Sequence, residues 1–413
     1  MLSFEAKTMR GRLSVFVAVL ALVMSCGLKE IDSGQNADNG IWTGPGNVVV
    51  GGDSEHAQVD KVCYTVGVDY QDGYDWRADM DMGNVKCSLV VYADGIPLVK
   101  VPVGDEYETS ADPDMHRVIR GSLYTDYAAQ TETVIKRDGE TLFRYSGREM
   151  IIGMAVDDGY VYTLGQSRQG GGFSFRRDGE VLFESMSGYL FPRLQRCEDG
   201  FSFIFYEPVG LDGASAEKYY HYLGGEVCQI TVLEEVDKVW DMVFNEKFVC
   251  YIASMRGMLN PVLVSGKEVS PMDVRENAKI RACRFVSADG DMDIEGIMSQ
   301  EGNVLFSCLW CGARLREVFS PGYTAAAVCV SDTDVACVLN GRRNLSEGVI
   351  YQNGRSFDMP EGYMSIGGCA MVIIDGRLYV GLTSETRGSP AVWSEEKIKP
   401  LKINGFISHM SVG

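Results

Sequence analysis

The chain has 413 residues, 46% of them hydrophobic and 23% charged, with a formal net charge of −19. That balance belongs to a folded globular body rather than a disordered chain. So acidic a surface repels nucleic acid and anionic lipid, which argues against both as partners held by charge.

Residues 1–25 read as a lipoprotein signal peptide. Lys7, Arg10 and Arg12 form a basic start, and Leu13–Met24 is an apolar stretch too short to span a bilayer comfortably. It ends in Val23-Met24-Ser25-Cys26, which looks like a bacterial lipobox, with Cys26 as the thiol that accepts the diacylglycerol. The plainer alternative is a secretory signal with a chance cysteine. Cleavage removes three basic residues and Glu5, leaving a net charge of −21, so lipid rather than charge must hold the chain at a membrane. Gly27, in place of Asp, favours the outer membrane, with the body facing the periplasm or the cell surface. Residues 26–58 are polar and rich in Gly and Asn near their start, as in a flexible tether.

From residue 59 to 413 one pattern recurs. A polar turn sits between two short apolar strands in "VVYADGIPLV", "VIKRDGETLF", "FSFRRDGEVLF", "YHYLGGEVCQI", "PVLVSGKEV", "LWCGARLREV" and "VIYQNGRSF". The marks Gly95, Gly139, Gly179, Gly225, Gly266, Gly312 and Gly354 are spaced by 40–46 residues. "AVWSEEKIKPL" at Glu396 is an eighth copy without the Gly. A second hairpin precedes the first in most units, as in "MIIGMAVDDGYVYTLG" and "CAMVIIDGRLYVGLT". Asp-Gly and Asn-Gly supply the positive φ angles of two-residue hairpin turns. Each unit therefore holds four strands, a to d, and a 40–50-residue period of short strands is the signature of a β-propeller. The fold class is all-β, with eight blades of about 43 residues expected and seven as the alternative.

The first unit starts at its strand b, "KVCYTVGVDY" (61–70), and the chain finishes on "GFISHMSVG" (405–413), which resembles strand a of other units. The expected closure pairs this last strand beside Val62–Val68, leaving no free edge. "NVVVGG" (47–52) is the other candidate for that strand.

Residues with chemical potential are few. Beyond Cys26 eleven cysteines remain, an odd number, most of them inside apolar strands where Cys acts as a small core residue. Cys308 and Cys311 form a lone CxxC that reads as packing or a local disulfide. Of four histidines, His56 falls in the tether, His409 in the closing strand and His221 in a strand c. His116, near Asp112 and Asp114, is either an acid/base or metal-ligand candidate or a strand-a residue whose imidazole satisfies a backbone carbonyl. Asp289, Asp291 and Asp293 alternate but lack the other ligands of a calcium loop. No cofactor or metal is expected.

The a–b and c–d turns share one rim and are tight, whereas the b–c and d–a connections share the other and are longer. Recognition is usually placed on such loops. The longest, "DYQDGYDWRADMDMGN" (69–84), carries Tyr70, Tyr74, Asp75, Trp76 and Arg77, an aromatic and acidic set suited to sugar rings. Arginine recurs on this rim at Arg77, Arg168, Arg256, Arg342, Arg343 and Arg387, either as clips between blades or as a partial ring for anions.

Leader and Asp-Gly blade pattern together resemble the β-propeller lipoproteins of Bacteroidales-type bacteria, mostly of unassigned function. The resemblance covers essentially the whole chain and implies fold and address, leaving activity open. The expected function is binding of a glycan or protein ligand through the loop-rich rim, which contributes Tyr70, Tyr74, Asp75, Trp76, Arg77, His116, Arg168 and Arg387. A propeller enzyme acting on a polysaccharide and a structural subunit of a surface assembly are the alternatives. A deep axial pocket with converging carboxylates favours the enzyme, and a flat rim with an exposed apolar patch favours a protein partner.

Overall fold

The computed structural model describes residues 61–71, 74, 87–103, 116–128, 131–209, 216–245, 247–286, 292–300, 304–330, 334–341, 347–365, 370–385 and 389–413. They form eight antiparallel sheets, each in the order a-b-c-d, arranged as the blades of a β-propeller. Blade 1 consists of Gly405–Val412 (a), Cys63–Tyr70 (b), Cys87–Ala93 (c) and Ile96–Val103 (d). Blade 2 follows as His116–Ile119, Ser122–Ala128, Glu132–Arg137 and Glu140–Ser146, and blade 3 as Glu149–Asp157, Tyr160–Ser167, Phe173–Arg177 and Glu180–Ser185. Blades 4 to 8 occupy 189–230, 236–271, 279–318, 323–358 and 363–400. In blades 4 and 8 strand a is broken into two pieces, Tyr189–Leu190 with Gln195–Cys197 and Tyr363–Met364 with Met371–Ile374. Among the described residues no helix is long and apolar enough to cross a membrane.

The ring closes through the last strand. Cys63 lies opposite Val412, Thr65 opposite Met410 and Val68 opposite Phe406, with a register shift between Val66 and Gly67. Val62 and Gly413 extend the ladder by exchanging both backbone hydrogen bonds, at 2.9 and 3.1 Å. Gly405 starts the strand so close to the Val68 carbonyl that any side chain there would collide with it. Residues 47–52 lie outside the described residues.

The core is a ring of layers rather than one centre. Val66, Val68, Leu89 and Val91 of blade 1 pack with Val118 and Leu123 of blade 2. Ile119, Tyr124 and Ile135 of blade 2 pack with Ile151, Met154 and Val161 of blade 3. The same holds at each of the other six junctions, ending with Val372 and Ile374 of blade 8 against Cys63, Val90 and Tyr92 of blade 1. Alternation within each strand produces this, because residues i and i+2 face one neighbour and i+1 and i+3 face the other. Burying one Val, Leu or Ile contributes about 1.5–3 kcal/mol, so each blade depends on both neighbours.

The c–d turns do more than reverse the chain. Asp94, Asp138, Asp178 and Asn353 all sit at φ between 47° and 50°, each followed by a glycine at still larger positive φ. In each case the turn residue makes a reciprocal pair of hydrogen bonds with one residue of strand b. The Asp178 N–H donates to the Val161 carbonyl at 2.8 Å, and the Val161 N–H donates to Asp178 Oδ1 at 2.8 Å. Asp94 pairs in the same way with Cys63, Asp138 with Leu123 and Asn353 with Val335. Gly224 and Gly312, lacking a side chain, make only the backbone half, to Phe201 and Met292. Asx residues at this position thus serve both the left-handed backbone and an otherwise idle strand-b donor.

Asp178→Ala should therefore lower stability by about 1 kcal/mol, the usual net value of one hydrogen bond. Asp178→Asn should leave it unchanged, since Asn353 makes the same pair in blade 7. Urea midpoints of the two variants test this, and equal losses in both would show that charge rather than the hydrogen bond matters.

Candidate functional sites on the two rims and the axis

Strand b ends and strand c begins on the rim that carries the long connections. Sixteen residues separate Tyr70 from Cys87 there, and twelve separate Val103 from His116. Tyr70 is not an exposed platform on this rim. It shares its strand face with Val66 and Val68, is 2% exposed, and packs on Tyr74 at 5.3 Å and Phe406 at 6.4 Å. Burial accordingly pushes its phenol well above the usual tyrosine range. Tyr74 is half-buried against the same layer, and Asn404 Nδ2 ties its carbonyl and that of Gln71 to the closing segment. Asp75, Trp76, Arg77, Arg342, Arg343, Arg387 and Cys26 lie outside the described residues.

Arg168 is exposed where strand b of blade 3 ends, and its N–H donates to the Arg148 carbonyl at 2.9 Å. Arg256 holds the corresponding place in blade 5, its Nε 3.7 Å from Asp237 of its own blade rather than of a neighbour. Sequence reasoning missed the apolar side chains beside them. Met186 is 84% and Leu259 71% exposed, with Met258, Val209 and Leu233 also open to solvent. All five lie on b–c or d–a connections or at the end of a strand b in blades 3 to 5, the same sector as Arg168 and Arg256.

Toward the axis the strands a carry polar links from blade to blade. His116 is 1% exposed, and its Nε2 lies 2.6 Å from Ser408 Oγ in blade 1. Ser408 Oγ also lies 3.2 Å from the Val66 carbonyl, so the hydroxyl links His116 of blade 2 to the backbone of blade 1. Arg117 pairs with Asp126 at 3.0 Å and donates to the Ile151 carbonyl of blade 3 at 2.9 Å. Arg193, in the break of strand a in blade 4, makes a two-pronged bridge to Asp241 of blade 5 at 2.7 Å. It also reaches the Phe285 carbonyl of blade 6 at 2.7 Å. Asp241 Oδ2 in turn accepts the Phe285 N–H, so one ion pair joins three blades.

Glu149 is buried at the start of strand a in blade 3, where Tyr145 Oη and Ser174 Oγ donate to it at 3.0 and 2.7 Å. Burial pushes its carboxyl up, while Ser174, Arg176 and Tyr145 hold it down. Cys308 and Cys311 are both free thiols, three residues apart on one strand and so on opposite faces. Burial raises the Cys63 and Cys308 thiols to about 12, the state of inert core cysteines. Asp293 of the alternating aspartates lies 3.6 Å from Arg316, whereas Asp289 and Asp291 lie outside the described residues. Among the described residues no three His, Cys, Asp or Glu side chains gather as metal ligands do.

On the opposite rim a groove of about 450 Å³ opens between blades 2 and 3. Ile119, Tyr124, Leu142, Phe143, Val156 and Val161 supply its apolar wall, and Arg120, Arg137, Ser122 and Asp178 its polar one.

No family model matches the chain, and no curated protein matches it. Solved structures do resemble it. One is the β-propeller domain of the trilobed protease from Pyrococcus furiosus, a propeller of open velcro topology. It shows 9% identity and a TM-score of 0.45, with 74% of this chain and 93% of that one covered. An acylaminoacyl peptidase shows 11% identity and 0.45, covering 81% of this chain, which spans 58% of the peptidase. A dihydro-heme d1 dehydrogenase shows 11% and 0.49 over 96% of this chain and 84% of its own. At such identities and scores nothing about those proteins' activities transfers to this one.

The histidines give the frame a pH dependence. Burial lowers His221, hydrogen-bonded to Ser202, to about 4 from the usual 6.5, and burial with the Arg117 charge does the same to His409. As pH falls through 6.5 the unfolded chain takes up these protons and the folded chain does not, so stability drops until about pH 4. At the limit each contributes roughly 3 kcal/mol to that drop. Glu149, pushed up by burial, protonates earlier in the folded chain and offsets part of it. Urea midpoints at pH 7.5 and 4.5 should differ less in His221→Asn and His409→Asn than in the parent. An undiminished difference in the double variant would rule the histidines out.

Proposed function

We propose that this chain is a lipid-anchored outer-membrane β-propeller that binds a protein partner through its loop-rich rim. The observation that carries the reading is the set Met186, Val209, Leu233, Met258 and Leu259, each exposed on the loop-rim connections or strand ends of blades 3 to 5. Methionine, arginine and apolar side chains on a rigid frame are the composition of a protein-binding surface. Arg168 and Arg256 flank the patch, and the long connection holding Asp75, Trp76 and Arg77 leaves from the same rim in blade 1. A glycan platform is less well supported, because Tyr70 and Tyr74 pack inward and leave Trp76 as the one remaining aromatic of that set. Cys26 supplies the anchor, since the net charge of −21 after cleavage opposes adsorption to anionic lipid.

A photo-crosslinking residue placed at Met186, or at Lys397 on the turn rim, tests the surface in intact cells. A discrete adduct should form from Met186 and not from Lys397. Met258→Ala with Leu259→Ala should cut its yield about tenfold, as loss of central anchors does. Equal adducts from both rims, or a yield unmoved by the double change, would overturn the reading. The anchor is tested separately: Cys26→Ser should move the mature chain to the soluble fraction. Sedimentation with membranes after a high-salt wash would refute it.

A further inference from the structure

The groove between blades 2 and 3 has its own chemistry, on the rim away from the proposed protein surface. Its floor is apolar and partly aromatic, with Tyr124, Ile119 and Val161 buried and Phe143 and Val156 half-buried. Leu142, 43% exposed, completes one side. Its lip is basic. Arg137 Nε donates to Ser122 Oγ at 3.1 Å, a bond that fixes the guanidinium and leaves its two terminal nitrogens for another acceptor. The nearby carboxylates already have partners. Asp178 Oδ1 accepts from Val161 and Asp138 Oδ1 from Leu123, while Asp138 Oδ2 lies 3.7 Å from Arg137.

Arg120 is the decisive residue. It occupies the first position of the a–b turn of blade 2, at φ 50°, with Gly121 after it at 80°. The same position in blades 3 and 8 holds Asp158 and Asp375, and four of the c–d turns use Asp or Asn there. Short Asx side chains ease the left-handed backbone by bonding locally, whereas a long arginine gains nothing from it and costs about 1 kcal/mol. Nor does Arg120 return that cost through an ion pair: it is exposed and forms none among the described residues, in a chain carrying 57 acidic residues. A local rule broken without a structural gain marks a functional position.

We infer that this groove binds an organic anion with a flat apolar body, an aromatic carboxylate or sulfonate, its charge held between Arg120 and Arg137. A bare phosphate would leave the aromatic floor unused, and a neutral hydrophobe would leave Arg120 and the two terminal nitrogens of Arg137 facing only solvent. A volume of about 450 Å³ suits a body of one or two fused rings. The chemistry is shared by free aromatic acids and by a peptide that ends in an aromatic residue with a free carboxylate.

The test is titration of the full mature chain with 8-anilinonaphthalene-1-sulfonate by fluorescence, and with N-acetyltryptophan by calorimetry. Saturable binding of one equivalent is expected, weakening as salt rises. Arg120→Gly should cost at least fivefold in Kd while the melting temperature holds or rises, because glycine relaxes the turn. Arg137→Gln should cost a similar factor, and Leu142→Glu should abolish binding. Binding at the parent's affinity in both arginine variants, or no saturable binding of either probe to the parent, would overturn the proposal. A tripeptide ending in Trp, compared with its C-terminal amide and with N-acetyltryptophan, separates the sources. Tighter binding of the free-carboxylate peptide assigns the groove to chain termini, and tighter binding of the small acid assigns it to free aromatic acids. An amide that binds as well as its carboxylate would overturn the charge-based assignment.

Discussion

A four-stranded blade is too thin to have an interior, so every apolar side chain on its two faces must be covered by another blade. Each of the eight packing layers in this molecule is built from two neighbouring blades. A row of such blades would end in two uncovered faces, and only a closed ring has none. The strand Gly405–Val412 therefore carries more than its own hydrogen bonds. By joining the blade that begins with Cys63, it fixes the first and last described strands in one sheet and brings blade 8 against blade 1. Cooperativity in a repeat protein arises from such interfaces rather than from the repeats themselves.

Polar groups near the axis follow from the same constraint. Strand a is an edge strand in every blade. Linking adjacent edges by side chains is one way to hold them in register. His116 to Ser408, Arg117 to Ile151, and Arg193 to Asp241 and Phe285 each cross a blade boundary. Breaking a buried bridge such as Arg193–Asp241 from one side leaves a charge without its partner, which is costlier than never having had the pair. Residues that look catalytic by type are thus engaged by the frame, and the histidines supply pH sensitivity to its stability.

The architecture was legible because its turns obey a strict local rule. Asp-Gly and Asn-Gly recur where the backbone must turn left-handed, and the count of eight follows from their spacing. The closing strand follows from a first unit that starts at its strand b and a last segment that resembles strand a. Glu395 and Glu396 keep the turn at φ 48° and 61° even where the glycine is lost. The sites were less legible. The long segment 69–84 points Tyr70 to the rim, although its parity with Val66 and Val68 puts it in the core. The partner of His116 is 292 residues away, beyond any local pattern. The apolar rim patch is assembled from blades 3, 4 and 5, and its residues share no motif. Arg120 did leave a signal, the Arg-Gly of "VIRGSLY" where sister turns read Asp-Gly, visible once the turns are aligned by their conformation.

The two rims therefore offer function in different ways. On the loop rim a connection can lengthen without disturbing the ladder, because the cost of a longer loop rises only slowly with its length. Sixteen residues can stand between Tyr70 and Cys87 where five stand between Ser167 and Phe173. On the turn rim length is fixed at two residues in the tightest hairpins and φ favours Asx at the first of them. A longer side chain there is informative when nothing pairs with it: Glu395 is 3.2 Å from Arg377, whereas Arg120 forms no ion pair among the described residues. Arg120 is such a departure, and it lines the same groove as Asp178, a turn residue that keeps the rule. The frame makes one rim variable by design and the other rigid, and on the rigid rim a single unsuited side chain is the stronger sign of a ligand.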